Sequence, residues 1–216
     1  MLNISKNMMQ LICHPKLLKT LLSMNSNGYL KNIGWINSYN EMMPLDNEGN
    51  PLPWVTYPFI DFIEPRLNNS MNIFEYGSGN STLWYSKRVK SVTSVEHELN
   101  WYDKIKNNLP ANVSIHYSNL VYGKEYCQYA KYLNRKFDLI IVDGRDRVNC
   151  IKNSIECLTL NGAIILDDSE RLNYQEGIQY LQNNGFKKID FWGISPGLFY
   201  KKNTTVFYRN NNCLGI

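Results

Sequence analysis

The chain has 216 residues, of which 44% are hydrophobic and 19% charged, proportions typical of a soluble globular protein. This length suits one domain with an N-terminal extension. A formal net charge of +4 without a basic stripe argues against a nucleic-acid partner. Five scattered cysteines without a C-x-x-C pair argue against zinc and favour a reducing compartment. The first residues carry no signal-peptide pattern, which predicts a cytoplasmic protein.

Residues 1–70 combine short helical patterns with turn-forming clusters, and we interpret them as a helical extension that forms a lid over the acceptor site. The leucine-rich stretch 11–22 is interrupted by Pro15, so it is too short to span a bilayer. We favour a helix packed against the rest of the protein for this stretch. The alternative is an amphipathic surface helix with Lys16 and Lys19 on its polar side.

A rigid aromatic run at residues 53–58 precedes the first strand of the main domain. Trp54, Thr56 and Tyr57 are candidates for contact with the acceptor if this run lies over the site. A plug that anchors the N-terminal arm is an equally good interpretation. Apolar residues at helical spacing over 60–67 then predict a short helix, limited by Pro65.

Strand and helix patterns alternate over residues 71–216, which we predict to be the catalytic domain. This alternation predicts an α/β fold: a Rossmann-like, doubly wound, mostly parallel seven-stranded sheet with a closing antiparallel hairpin. The turn formers at 196–197 and 201–203 are expected to separate the last two strands. The predicted strands are Met71–Tyr76, Val92–Val95, Val113–His116, Phe137–Val142, Ala163–Leu166, Lys187–Trp192 and Thr204–Tyr208. The predicted helices are Ser81–Val89, with Asn80 or Ser81 as its cap, Glu98–Asn108, Tyr122–Leu133, Asn149–Leu158 and Tyr174–Asn183.

A glycine turn at Gly77 and Gly79 follows the first predicted strand, and Glu96 lies 21 residues after Glu75. Such a unit binds an adenosine-bearing cofactor, with the distal acid on the ribose hydroxyls. A dinucleotide site has a third glycine where this chain has Thr82, and the Glu75 carboxylate would repel a pyrophosphate. The ammonium and sulfonium groups of S-adenosylmethionine (SAM) suit that carboxylate, so we predict SAM rather than NAD.

The chain resembles class I SAM-dependent methyltransferases over roughly residues 70–209. The matching runs are 74–79 (FEYGSG), 95–97 (VEH), 137–144 (FDLIIVDG) and 165–168 (ILDD). The resemblance implies that the glycine turn lines the methionine part of SAM. The acid that often contacts adenine in this family is missing here, and Asn119 or Ser118 is the candidate to replace it. The cofactor-binding residues expected on this basis are Glu75, Gly77, Ser78, Gly79, Ser81, Thr82, Glu96, His97, Asn119 and Asp143.

Acids follow the fourth and fifth predicted strands, at the carboxyl edge where ligands of such sheets lie. Asp168 and Asp143 are the predicted catalytic residues, because methyl transfer to a hydroxyl group needs a base. The alternative for Asp168 is a structural role as the cap of the following helix. Asp143, Asp167 and Asp168 also resemble the acids of metal-dependent O-methyltransferases, although those have Asp-Asn where this chain has Asp-Asp. A divalent metal at these three residues is an alternative that we do not favour.

Arg145 and Arg147 follow Asp143, and we expect them to bind an anionic group of the acceptor or to pair with neighbouring acids. Trp192 is a further candidate for the rim of the acceptor pocket. The function predicted is O-methylation of a small molecule or carbohydrate, such as a surface polysaccharide or secondary metabolite. The alternatives are a non-catalytic SAM-binding regulatory or partner protein and an aminopropyltransferase-like enzyme. The expected partner is the small-molecule or saccharide acceptor, with no nucleic acid and no membrane span.

Overall fold

The computed structural model describes residue 9 and residues 11–216. Two compact units divide the chain, one comprising the residues up to Asn50 together with Pro196–Leu198, the other Pro51–Ser195 together with Phe199–Ile216. The predicted division between residues 70 and 71 stays a prediction. No helix of the described residues is long and apolar enough to cross a membrane.

The first unit contains short helices. The helices that lie wholly within the described residues of this unit are α1 (Pro15–Ser23), α2 (Tyr29–Asn32) and α3 (Trp35–Glu41). Gly34 precedes α3 with a φ of 78°, and a side chain there would collide with the backbone of Leu45 and Asp46, so only glycine fits. The Ser38 hydroxyl, which donates to Leu45 O at 2.7 Å, further ties α3 to the following turn. The favoured packing of stretch 11–22 was wrong, because none of the residues of α1 is buried.

The second unit is a seven-stranded sheet with the strand order β3-β2-β1-β4-β5-β7-β6. β1 pairs in parallel with both β2 and β4, and β5 pairs with β7 in antiparallel orientation. The predicted mixed sheet with its closing antiparallel hairpin is therefore confirmed. The strands are β1 (Asn72–Tyr76), β2 (Ser91–Glu96), β3 (Val113–Tyr117), β4 (Phe137–Val142), β5 (Leu158–Asp167), β6 (Lys187–Ser195) and β7 (Leu198–Tyr208).

One helix of this unit precedes β1, and the others connect its strands. They are α4 (Tyr57–Ile63), α5 (Asn80–Ser86), α6 (Leu99–Ile105), α7 (Glu125–Tyr132), α8 (Arg147–Ser154) and α9 (Gln175–Asn183). Single 3₁₀ turns occupy Glu64–Arg66, Ile155–Cys157 and Leu172–Tyr174. The expected cap of α5 was wrong by one or two positions, since the helix begins at Asn80 and Gly79 is its N-cap.

The core lies against the central strands, whose side chains are apolar on both faces. Ile73, Leu139, Ile140 and Ile164 are fully buried, and each buried side chain of this size contributes roughly 1.5–3 kcal/mol. Residues Lys201–Asn203, which we expected to break the chain, instead continue β7. Their strand conformation places Lys202 beside the ends of β5, with consequences for the site.

Candidate functional site

The order of the strands reverses between β1 and β4, and the crevice beyond their carboxyl ends is where such sheets bind ligands. Gly77 follows β1 with a φ of 93°, and a Cβ atom there would lie 3.2 Å from Gly144 Cα, after β4. A side chain on Gly144 would collide with the Tyr126 hydroxyl group. The two glycines thus allow the loops to approach closely and leave the crevice open.

Glu75 is buried at the end of β1 and has no cationic partner among the described residues. Its Oε2 accepts hydrogen bonds from the hydroxyl groups of Thr82 at 2.6 Å and Ser94 at 3.4 Å. Burial raises the pKa of Glu75 to about 7, although hydrogen bonds from Ser81, Thr82 and Ser94 act in the opposite direction and the charge of Glu96 adds to the rise. A cation placed beside Glu75 would favour its ionised form.

Glu96 is buried at the end of β2 and is surrounded by donors. Its Oε2 accepts from the backbone and hydroxyl group of Ser78, at 3.1 and 2.8 Å. Its Oε1 accepts from the backbone amides of His97 and Glu98, at 2.8 and 2.9 Å, and lies 3.0 Å from His97 Nδ1. These bonds hold the carboxylate in one orientation and tie it to the glycine turn.

A second group of acids lies beyond β4 and β5 and is paired with cations. Arg147 Nη2 is 3.0 Å from Asp143 Oδ1, and the same guanidinium also donates to the backbone oxygens of Gly144 and Asp167. Lys202 Nζ lies 2.6 Å from Asp167 and 2.8 Å from Asp168. Arg147 therefore joins the loop after β4 to the end of β5. Of the two roles expected for Arg147, the structure shows the pairing with neighbouring acids.

Asp168 has the strongest ionic surroundings in this group. Its Oδ2 lies 2.8 Å from Arg171 and 3.4 Å from Arg147, in addition to the Lys202 contact. Although burial by itself raises the pKa of Asp168, the charges of Lys202, Arg147 and Arg171 hold it below its usual value. Its φ of 52° is unusual for a residue other than glycine and indicates local strain.

The Lys202 ammonium group is buried with these acids. Burial lowers its pKa, but the charges of Asp167, Asp143 and Asp168 outweigh burial and raise the pKa above its usual value. Burial also raises the pKa of Asp143, and the charge of Asp167 adds to the rise, while Arg147 opposes it. Asp143 is thus the more basic of the two predicted catalytic carboxylates.

A divalent metal does not fit these acids. Lys202, Arg147 and Arg171 already occupy the surroundings of Asp167 and Asp168, and a metal ion would have to displace fixed positive charges. No group of three or more potential metal ligands occurs among the described residues.

A cavity of about 360 Å³ at this edge brings most of the predicted site residues together, and pockets of this size hold small ligands. The predicted residues that line it are Glu75, Gly77, Ser78, Ser81, Glu96, His97, Asp143, Asp168, Arg145 and Arg147. Gly144 and Arg171 also line the cavity, and Lys202 lies behind it; sequence reasoning assigned none of the three to the site. Only Gly144 carried a signal, its position directly after Asp143 in the matched run.

The other cofactor residues predicted from the sequence do not line the cavity. Gly79 donates its backbone N–H to Thr82 Oγ1 at 3.1 Å, and Thr82 is buried beneath Glu75. These two residues support the Glu75 carboxylate from below. Asn119 lies exposed after β3.

The candidates for contact with the acceptor differ in position. The Thr56 hydroxyl is buried and donates to Phe191 O at 2.9 Å, so Thr56 anchors residues 53–58 to β6. Tyr57 is also buried, while Trp54 and Trp192 are exposed; all four lie outside the cavity lining. Arg145 is the exposed candidate that does line it.

Comparisons with known proteins bear on the fold. No protein-family model matches the chain, and neither does any curated protein. A Staphylococcus aureus protein described as a caffeoyl-CoA O-methyltransferase aligns over 91% of this chain and 99% of its own, with 17% identity and a TM-score of 0.56. A Streptococcus mutans protein is described as a methyltransferase in complex with S-adenosylhomocysteine (SAH). It aligns over 71% of this chain and 99% of its own, with 13% identity and a TM-score of 0.51.

The spermidine synthase of Thermotoga maritima aligns over 71% of this chain and 56% of its own, with 11% identity and a TM-score of 0.52. Identities this low establish a shared fold and leave the reaction and the substrate open. The chain has the fold of the class I SAM-dependent methyltransferase superfamily.

Proposed function

We propose that this protein is a SAM-dependent methyltransferase that modifies an oxygen atom of a small molecule or saccharide. The observation that carries the proposal is the buried Glu75 carboxylate beside the glycine turn, with no cation of its own among the described residues. A negative group at this position opposes the pyrophosphate of a dinucleotide and attracts the ammonium group of SAM. The charged and polar lining of the cavity also suits a polar acceptor better than an apolar one.

Each end of the cofactor has a candidate partner. Glu75 would hold the ammonium group of SAM, and Glu96 would hold its ribose hydroxyl groups in place of Ser78 Oγ or His97 Nδ1. Arg145 has no ion-pair partner among the described residues, so its guanidinium group is available for an anionic group of the acceptor.

The proton of the acceptor hydroxyl group goes to Asp143. Methyl transfer is a displacement at carbon that requires alignment of the acceptor oxygen with the sulfonium, and a base that takes the proton as the new bond forms. Asp168 is a poor base because three cations stabilise its ionised form. Asp143 has the raised pKa that suits a base near neutral pH, and Asp168 helps to hold Arg147 in place beside it.

Titration calorimetry with SAH and with NAD⁺ tests the cofactor. We expect SAH to bind at one site per chain and NAD⁺ to give no heat of binding. Binding of NAD⁺ without a response to SAH would overturn the proposal. Decarboxylated SAM with putrescine is a further arm, because formation of an aminopropylated product would identify the aminopropyltransferase-like alternative instead.

Replacement of the base tests the chemistry. Asp143→Asn should lower kcat by a factor of about 10² to 10⁴, as is usual for loss of a general base, while SAH affinity changes little. Mass spectrometry of hydroxylated acceptors incubated with SAM measures the methylated product. A regulatory protein would instead keep its biological effect after replacement of Asp143 and Asp168 and lose it after replacement of Glu96.

A further inference from the structure

The positive charge of the chain is concentrated near its beginning. Lys6, Lys16, Lys19 and Lys31 are the charged residues of the first 40, and the first acidic residue is Glu41. Residues 41–216 contain equal numbers of acidic and basic side chains. The whole formal net charge of +4 therefore belongs to the first 40 residues.

Helix α1 separates apolar from cationic side chains within this basic segment. At 100° per residue, Leu17, Leu18, Leu21 and Leu22 share one side of the helix, and the lysines at 16 and 19 lie on the other with Thr20 and Ser23. None of the residues of α1 is buried, and Leu17 and Leu22 are 49% and 68% exposed. Ile12, just before the helix, is 65% exposed. An apolar surface of this kind marks an interaction site.

We propose that α1 attaches the protein to the surface of an anionic lipid bilayer and lies parallel to it. Cationic helices with a leucine face insert that face at the boundary of headgroups and acyl chains, and their lysines are attracted by anionic lipid. The absence of any acidic residue among the first 40 makes the segment complementary to a negative surface.

A second copy of the chain fits this face less well. A nine-residue helix is about 13 Å long, and its leucine face is small beside the roughly 800 Å² that each partner buries in a stable interface. Pairing through that face would also leave Lys16 and Lys19 pointing away from the other copy, whereas an anionic bilayer attracts them.

Co-sedimentation of the full-length protein with vesicles tests the proposal. We expect binding to vesicles of phosphatidylcholine with phosphatidylglycerol, no binding to phosphatidylcholine alone, and weaker binding as salt is added. The Leu21→Ser/Leu22→Ser double variant should lose binding. The Lys16→Gln/Lys19→Gln double variant should bind roughly 25-fold more weakly, from about fivefold for each lysine near an anionic surface.

Matched changes elsewhere provide the controls. Leu160 is 93% exposed, and Leu160→Ser should bind vesicles like the unmodified protein. Lys87→Gln/Lys90→Gln removes two exposed lysines outside the segment and should also retain binding. No binding to anionic vesicles, or equal binding by the Leu21/Leu22 variant, would overturn the proposal. So would a dimer in light scattering that the same variant dissociates, since that identifies a second copy as the occupant.

Discussion

The two acidic groups at the carboxyl edge of the sheet differ in how their charge is balanced. Glu75 and Glu96 are held by hydroxyl and amide groups. The acids beyond β4 and β5 are paired with Arg147, Arg171 and Lys202. A buried carboxylate without a cation favours a cationic ligand, whereas a paired group is fixed by the protein itself. The comparison therefore separates a ligand-binding half, which we propose holds the cofactor, from a scaffolding half, in which Asp143 is also the proposed base.

Loss of the central cation should give the largest effect. Lys202→Met leaves Asp167 and Asp168 buried without their shared partner, and we expect a loss of about 3–5 kcal/mol in the free energy of unfolding. Urea denaturation measures this loss. Lys201→Met is the matched control: Lys201 is exposed and lies over the Trp192 ring, so its loss should be about 1 kcal/mol or less. Equal losses for the two variants would contradict a scaffolding role for Lys202.

Glu75, in the ligand-binding half, should make the stability of the free protein depend on pH. The pKa of Glu75 is raised from 4.5 to about 7, so the folded state binds the proton more tightly than the unfolded chain. The stability conferred by that proton is full below pH 4.5 and is lost as the pH rises through 7, by roughly 3 kcal/mol. Glu75→Gln carries no such proton, and its unfolding free energy should fall less over this range. Parallel pH profiles from urea denaturation would contradict the prediction.

The same variant should weaken cofactor binding. Glu75→Gln keeps the shape of the side chain and removes the charge that faces the ammonium group, and we expect SAH to bind about 100-fold more weakly at pH 8. Titration calorimetry measures the change. Asp61→Asn, on the exposed side of α4, is the control and should bind SAH normally. Unchanged SAH affinity in the Glu75 variant would mean that the ligand-binding half does not hold the cofactor.

The sequence predicted the ligand-binding half better than the scaffolding half. Glu75, Gly77 and Glu96 stand beside strand ends within one strand–helix–strand unit, so local pattern places them at one edge. The fourth strand was predicted with its observed bounds, Phe137–Val142, because it is apolar throughout and ends at an acid.

Lys202 was missed because its partners are distant in sequence. It lies 35 residues after Asp167, on an antiparallel strand whose register no local pattern fixes. Two lysines followed by an asparagine resemble a solvated turn. A buried lysine in a strand becomes favourable here only because buried acids at the end of β5 pair with it. Helix α1 is the converse case, where a leucine-rich pattern predicted packing and the helix is exposed.

The smallest expected effect comes from loss of the hydrogen bond beneath Glu75 in the ligand-binding half. Thr82 Oγ1 donates to Glu75 at 2.6 Å and accepts from Gly79 N–H at 3.1 Å, so Thr82→Val removes a bond that stabilises the ionised carboxylate. The pKa of Glu75 should rise further, and SAH should bind about five- to tenfold more weakly at pH 7. Thr159→Val is the matched control: it removes the Thr159–Asp138 bond of 3.2 Å, outside the cavity, and should leave SAH affinity unchanged. Because protonation of Glu75 is what weakens binding, the loss of SAH affinity in Thr82→Val should be smaller at pH 9 than at pH 7. An equal loss of affinity at the two pH values would assign Thr82 a packing role instead.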